Sequence, residues 1–222
     1  MKMCAAAAAA VVVLLSLFSV GLSAPLTSCE SLLKPITITR EEILGRWMYI
    51  GGSSNIPGSR SVAHLMTSVW VDLSATSQEN VLSLLQSQKI YGDCSSFLYN
   101  VTFQNSVMLI EEPFFLKEVY LPTECPDCLL AIEDIVSGTD NFRSLLLFSR
   151  SKSVPPAMIE MLKRQAVCLQ MPSPIIMKTD EEPCRDDITP EEGLDTLNKL
   201  LESKMGLRVA RVLDSLFDYF WN

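Results

Sequence analysis

Eight runs of apolar residues, separated by short turn sequences, occupy the middle of the chain between residues 44 and 150. They cover residues 44–50, 67–75, 81–91, 95–104, 106–111, 114–121, 129–136 and 143–149. The clearest is 95–104, where Phe97, Tyr99, Val101 and Phe103 alternate with other residues at the period of a half-buried strand. Because the connections are short, neighbouring strands should be antiparallel. The series predicts a mainly β protein, an eight-stranded antiparallel up-and-down barrel whose closure removes exposed sheet edges.

The residues after the last strand change period. Pro155-Pro156 precedes a helical pattern over 157–169, and we expect this single helix to pack on the outside of the barrel. The segment 189–222 is an amphipathic helical tail, predicted to begin at Thr189-Pro190-Glu191-Glu192. Two interpretations of the tail stay open, a helix docked on the domain and a helix that binds a lipid surface.

The first 24 residues have the pattern of a secretory signal peptide. Lys2 is followed by an alanine- and valine-rich apolar run, and small residues precede the predicted cleavage region. The run is shorter than a typical transmembrane helix, and retention as a lipid anchor is the alternative to cleavage. We therefore predict three segments, a signal peptide (1–24), a barrel domain (25–188) and the tail (189–222). A secreted, extracellular protein without a transmembrane span in its mature form follows from this division.

Six cysteines remain beyond the predicted signal peptide. In an exported chain they predict three disulfide bridges, for which 15 pairings are conceivable. Cys125 and Cys128 have C-x-x-C spacing, and we favour a local bridge there over a redox or zinc motif because no second C-x-x-C is present. The Asn100-Val101-Thr102 sequon predicts glycosylation at Asn100, which would place the alternate face, with Phe97 and Tyr99, inside the barrel.

Composition excludes several classes of function. The chain has one histidine, His64, which argues against Ser-His or Cys-His catalysis and against a histidine-rich metal site. Its net charge of −8, without a basic stripe, argues against a nucleic-acid partner. We expect no metal and no cofactor. A Gly/Ser/Pro-rich stretch at 51–59 predicts a loop at the mouth of the barrel.

Gly45, Trp47 and Arg150 carry a resemblance to the lipocalins, a family of secreted barrel proteins. They match the family's G-x-W motif in the first strand and its arginine after the last strand. In lipocalins this arginine lies across the tryptophan and closes one end of the barrel. The family's second motif, Thr-Asp-Tyr, is replaced here by Thr123-Glu124-Cys125, which puts the chain among outlying members.

Within the lipocalins the chain is most similar to apolipoprotein M-like proteins and to the orosomucoid-like saxitoxin- and tetrodotoxin-binding secreted proteins. The similarity covers about 26–188 and rests on 45–54 (GRWMYIGGSS), on 145–151 (LLLFSRS) and on the positions of four cysteines. It implies bridges Cys29–Cys168 and Cys94–Cys184, which leaves Cys125 to pair with Cys128.

The resemblance and the apolar face together predict a carrier that binds and transports small hydrophobic or amphipathic molecules, namely lipids and, by the resemblance, toxins. The predicted ligand-binding residues are Tyr49, Val71, Leu73, Phe97, Tyr99, Phe103 and Tyr120; the alternative is that they fill a solid barrel. A cationic ligand would need an acidic group inside, and the sequence leaves open which way Glu118 and Glu133 point. The alternative function is that of a lipoprotein-surface or immune-modulating plasma protein acting through the tail. A cysteine-dependent isomerase of the prostaglandin type is disfavoured because all six cysteines are expected in bridges.

Overall fold

The computed structural model describes residues 28–90, 92–178, 182–192, 194, 198–199, 202 and 204–221; the predicted signal peptide lies outside them. The strands are β1 (Gly45–Ser54), β2 (Met66–Ala75), β3 (Val81–Ile90), β4 (Asp93–Gln104), β5 (Val107–Ile110), β6 (Phe115–Leu121), β7 (Cys128–Ser137), β8 (Asp140–Ser149), β9 (Ile175–Ile176) and β10 (Glu191–Glu192). The helices are α1 (Cys29–Leu32), α2 (Arg40–Ile43), α3 (Ser59–Leu65), α4 (Pro156–Cys168) and α5 (Lys204–Trp221).

Strands β1 to β8 form a closed antiparallel barrel. Each strand pairs with the next along the chain, β1 also pairs with β8, and the β4–β5 pairing continues the ring. The predicted architecture, a mainly β eight-stranded up-and-down barrel with one flanking helix, is confirmed. Barrels of this strand number have an interior that side chains can fill or that can hold one small ligand.

Two apolar clusters lie on opposite faces of the barrel wall. The inner cluster contains Trp47, Leu73, Phe103 and Tyr120 and fills much of the barrel interior. The outer cluster lies under α4, where Met158, Met161, Leu162 and Ala166 pack against outward side chains of β1, β6, β7 and β8. The helix α4 therefore covers an outer wall and leaves the barrel interior to other groups.

The glycine-rich stretch after Trp47 differs from its prediction. Residues 51–54 are not loop but the end of β1, and a bulge separates Tyr49 from Gly51. A Cβ on Gly51 would lie 2.5 Å from the Ile175 carbonyl oxygen, and one on Gly52 would collide with that of Leu145. These glycines permit the close approach of neighbouring backbones. In the sequence alone, the same glycines resemble those of a turn.

The beginning of the tail also differs from its prediction. Glu191–Glu192 forms β10, which pairs in parallel with Phe97 and Leu98 of β4, so no helix begins at 189–192. The short strand β5 pairs only with residues 102–104 of β4. The edge of β4 at Phe97 and Leu98 is therefore left open for β10. Pro190 also biases its preceding residue towards extended backbone, which suits a strand better than a helix.

Candidate functional site

A cavity of about 340 Å³ opens at the end of the barrel opposite Trp47. Its wall comes from β1, β2, β3 and β8, and α3 lies across its entrance. Its larger side chains are Tyr49, Ile56, Arg60, Val62, Met66, Val69, Val71, Gln86, Gln88, Leu146, Phe148 and Ile175. The rings of Tyr49 and Phe148 meet edge to face with centroids 5.6 Å apart. The cavity is therefore largely apolar, with a few polar groups at defined positions, as small-molecule sites usually are.

The tail helix α5 supports α3 at this entrance. The Asp214 carboxylate accepts hydrogen bonds from the backbone N–H groups of Gly58 and Ser61, at 2.7 and 2.8 Å, and so caps a helix that has no cap of its own. Arg60 forms an ion pair with Asp218 at 2.7 Å, and His64 stacks on Phe217. The side of α5 that carries Asp214, Phe217 and Asp218 thus faces the protein.

The predicted ligand-binding residues divide into three groups. Tyr49 and Val71 line the cavity. Leu73, Phe103 and Tyr120 pack deeper in the barrel, in the inner cluster with Trp47, and Tyr99 packs against that cluster. Phe97 is partly exposed on β4, directly opposite the cavity residue Gln86 of β3. The assignment of all seven to ligand binding stays a prediction.

Two glutamates inside the barrel, Glu118 of β6 and Glu133 of β7, form an acid pair that the sequence left unassigned. They stand directly opposite each other in the β6–β7 ladder, where paired side chains are about 5 Å apart. Glu118 is 8 % exposed and Glu133 has intermediate exposure. Neither lines the cavity, but Ser144, which hydrogen-bonds Glu133, does. The sequence did contain a signal for this placement. Glu118 is two residues from Tyr120 in the same strand, so it lies on the same face of the barrel wall, and Tyr120 was predicted to face inward.

Burial dominates the electrostatics of the acid pair. It raises the pKa of Glu118 to about 7, and burial together with the charge of Glu118 raises the pKa of Glu133 to about 8. A hydrogen bond from Ser144 partly offsets the increase in the pKa of Glu133. Among the described residues, no lysine, arginine or histidine forms an ion pair with either carboxyl. The folded protein therefore holds protons on this pair at pH values where exposed carboxyls have lost them.

We expect the acid pair to make the ligand-free protein less stable as pH rises. The unfolded chain loses these protons near its ordinary carboxyl pKa of 4.5, whereas the folded state keeps them until about 7 to 8. The folded state therefore binds more protons in this window, and the free energy of unfolding should fall by roughly 1.4 kcal/mol per pKa unit displaced. Urea denaturation across this range should show the fall in wild type and a flatter profile in Glu118→Gln/Glu133→Gln.

Asp134→Asn is the matched control for this pH measurement. Asp134 is the next residue of β7, points outward and pairs with Arg143 on the barrel surface. Its substitution should leave the slope of stability against pH unchanged. Equal slopes in wild type and in the double glutamine variant would contradict the assignment of shifted pKa values to this pair.

Trp47 and Arg150, which were predicted to close the barrel, meet at its opposite end. The Arg150 guanidinium lies 3.5 Å from the centroid of the Trp47 ring and donates hydrogen bonds to the carbonyls of Glu42, Leu44 and Arg46. The indole N–H of Trp47 donates to the Ile43 carbonyl at 2.8 Å. Gly45 has a φ of +87°, and a Cβ there would lie 3.2 Å from Arg150 Nη1. The three residues expected to close the barrel therefore meet at one end of it.

Three disulfides hold the segments outside the barrel. Cys29–Cys168 joins α1 to α4, Cys94–Cys184 joins β4 to the segment after β9, and Cys125–Cys128 closes the turn before β7. These are the pairings that the resemblance implied for the first two and that spacing favoured for the third. Asn100 is exposed on β4, as a glycan would require.

Two kinds of feature are missing from the described part of the chain. Its histidine, cysteine, aspartate and glutamate side chains nowhere gather in a group of three that could hold a metal ion. None of its described helices combines the length and the apolar character needed to cross a membrane.

Comparison with known proteins identifies the fold. No protein-family model and no curated protein sequence matches the chain. Among solved structures, the siderocalin Ex-FABP superimposes with a TM-score of 0.57 at 16 % identity, over 65 % of this chain and 99 % of that one. Lipocalin 12 from rat epididymis gives 0.56 at 11 %, over 69 % and 92 %, and odorant-binding protein OBP1 gives 0.53 at 12 %, over 66 % and 97 %. The barrel thus has the lipocalin fold.

Proposed function

We propose that this protein is a secreted lipocalin that binds a small hydrophobic or amphipathic molecule in its barrel cavity and transports it. The carrying observation is the cavity of about 340 Å³ between Tyr49, Val71 and Phe148, open at one end and closed at the other by Trp47. Two similar structures support a binding role, since one is a siderocalin with dual ligand specificities and another is an odorant-binding protein.

Saturable binding of a fluorescent fatty acid or retinol to the delipidated full-length protein tests this proposal. Val71→Phe places a larger side chain in the cavity and should weaken binding at least about tenfold, equivalent to ~1.4 kcal/mol. Leu98→Phe makes a similar change on the outer face of β4, where Leu98 is 46 % exposed, and should leave the affinity unchanged. Absence of saturable binding by the wild type, or equal weakening by both variants, would argue against a ligand in this cavity.

Secretion and the absence of thiol chemistry belong to the same proposal. Three bridges use all six cysteines of the described residues, which suits an oxidising extracellular compartment. A cavity thiolate of the kind that an isomerase would use is therefore not supplied by the described residues. We further propose that Asn100 carries a glycan on the outer wall. Mass spectrometry of the protein exported by a eukaryotic cell reports the cleavage site, the glycan and any alkylatable thiol together.

A second function, binding to a lipid or lipoprotein surface, is favoured by the exposed side of α5. Its acidic residues Asp214 and Asp218 face α3, whereas Val212 is 61 % exposed and Tyr219 is 81 % exposed. Val209, Leu213 and Leu216 share this outward exposure. We infer that this aliphatic surface inserts at a lipid interface, as amphipathic helices do. The outward apolar positions of α5 would then serve an external partner, whereas Leu207 packs in the inner cluster of the barrel.

Vesicle flotation tests whether the exposed side of the tail binds lipid, separately from the support that its other side gives to α3. We expect Val212→Ser/Leu216→Ser to reduce association with phosphatidylcholine vesicles several-fold without changing cavity binding. Arg211→Ser, an exposed change on the same helix, is the control and should leave association intact. Unchanged association after deletion of 189–222 would rule this function out while leaving the carrier proposal standing.

A further inference from the structure

The acid pair is an unusual feature for a cavity that binds only neutral apolar molecules. Each buried carboxylate loses favourable hydration, and Glu118 and Glu133 face each other, so ionising both adds mutual repulsion. Such groups cost stability unless a cation or a set of hydrogen-bond donors compensates them. The described residues supply no basic partner, so the protein alone avoids this cost by holding protons on the pair, and both carboxyls can ionise at neutral pH only beside a cation from outside the chain.

The groups around the acid pair suit a positively charged guest. Tyr49 of β1 and Tyr99 of β4 lie near enough for the charge of Glu133 to raise their pKa values further, beyond the larger effect of burial. Ser144 of β8 lines the cavity wall and donates a hydrogen bond to Glu133. Its Oγ also lies 3.0 Å from Ser54 Oγ. Aromatic faces attract cations as well as apolar groups.

A buried donor at the same place has no partner of good geometry. The Tyr120 side chain is completely buried, and its hydroxyl points at the Glu118 carboxyl, where it lowers the pKa of Glu118 although the contact falls short of ideal hydrogen-bond geometry. A hydroxyl in such a place usually finds a partner, since an unsatisfied buried donor costs about 1–3 kcal/mol.

The only cation on the cavity wall among the described residues is at its entrance. Arg60 lines the opening, but its guanidinium is held by Asp218 of α5, with N–O distances of 2.7 to 2.9 Å. It therefore does not neutralise the acid pair. The cavity wall is mainly apolar and aromatic, and the acid pair adjoins it through the wall residue Ser144, which hydrogen-bonds Glu133.

We propose that the barrel binds a small organic cation, a primary amine with a compact apolar body, whose ammonium group meets Glu118 and Glu133 while its body lies between Tyr49, Val71 and Phe148. This inference rests on the carrier function and names its ligand class. An ammonium group offers three donors and one positive charge, which matches two facing carboxyls and a nearby tyrosine oxygen. A neutral molecule of the same shape would leave the acid pair protonated and would gain no charge interaction with it.

Binding of the amine should also release a proton. In the empty protein at neutral pH the acid pair keeps a proton that it loses when an ammonium ion takes its place, so one carboxyl O–H breaks and the proton passes to solvent. Calorimetry of 2-phenylethylamine in buffers of different ionisation enthalpy measures this release directly on the wild type. A neutral ligand should show no such buffer dependence.

Competition between two probes of equal size tests the charge preference. In displacement of fluorescent retinol from the full-length protein, we expect 2-phenylethylamine to bind at least about tenfold more tightly than 2-phenylethanol, a preference of ~1.4 kcal/mol. Glu133→Gln and Glu118→Gln should each reduce the affinity for the amine about tenfold and leave that for the alcohol within a factor of two. Asp134→Asn makes the same change of charge on the outer wall and should alter neither.

The outcomes separate this inference from the function on which it rests. Retinol binding with no preference for the amine over the alcohol, and no proton release, overturns the cation site and leaves the carrier standing. An amine preference that survives Glu118→Gln/Glu133→Gln also overturns it, because the charge would then lie elsewhere. Failure of retinol and both probes to bind overturns the carrier function and the cation site together. If the glutamine variants do not fold, the wild-type preference and proton release still decide.

Discussion

Trp47→Ala is expected to lower the free energy of unfolding by about 3–5 kcal/mol, the range of large truncations in buried sites. Trp47 is 4 % exposed and belongs to the inner cluster at the closed end of the barrel. The substitution removes the ring from that cluster, its hydrogen bond to Ile43 and the surface on which the Arg150 guanidinium lies. Urea denaturation followed by circular dichroism measures the loss.

The same substitution should change binding little in the fraction that remains folded. The cavity is walled by residues at the other end of the barrel, so retinol affinity per folded molecule should stay within about threefold. Arg150→Lys is a milder companion variant, because lysine cannot reproduce the guanidinium's three carbonyl contacts, and it should cost about 1–2 kcal/mol. Lost binding at unchanged stability would show that this end takes part in the site.

Removal of the Cys29–Cys168 bridge should have the second large effect on stability. The two cysteines are 139 residues apart in the sequence, so the bridge closes a long loop in the unfolded chain. The chain-entropy relation gives a stabilisation of ~5 kcal/mol for a loop of this length. We expect Cys29→Ser/Cys168→Ser to unfold at much lower urea concentration, with α1 released from α4.

The Cys125–Cys128 bridge provides the matched control. Its cysteines are three residues apart, and the same relation gives only ~2 kcal/mol. Both double variants replace one disulfide by two hydroxyls, and their difference therefore isolates the length of the loop. Equal losses would mean that local packing at the two sites, and not the entropy of the unfolded chain, sets the effect.

The barrel itself was predictable because local signals agreed with the tertiary structure. Alternation in residues such as Tyr99 and Phe103 sets the face of each strand, and short connections force antiparallel neighbours. Glycine was the less reliable guide. Gly51 and Gly52 have the composition of a turn, yet they lie within β1 because Ile175 and Leu145 approach too closely for a Cβ. A glycine can be required by close contact with a distant segment, and its neighbours in the sequence do not reveal that contact.

The tail shows the same limitation in a different form. Its helical period and charge pattern predict α5, but they do not say which side of the helix meets the protein. Asp214 and Asp218 face inward because α3 begins without a cap and Arg60 needs a counter-ion. That choice depends on two segments more than 150 positions apart in the sequence. The exposed aliphatic side of α5 follows from it.

The sequence by itself determined the strand series, the residues of the closed end and the position of the flanking helix, because each depends on periodicity or on a local motif. Only the tertiary structure decided that Glu118 and Glu133 face each other inside the barrel, that α3 lies across the entrance and that the tail supports it. These features depend on the register between strands and on contacts between remote segments. The physical reason is that burial and charge act through space, so the environment of an ionisable group is fixed by all the elements that enclose it.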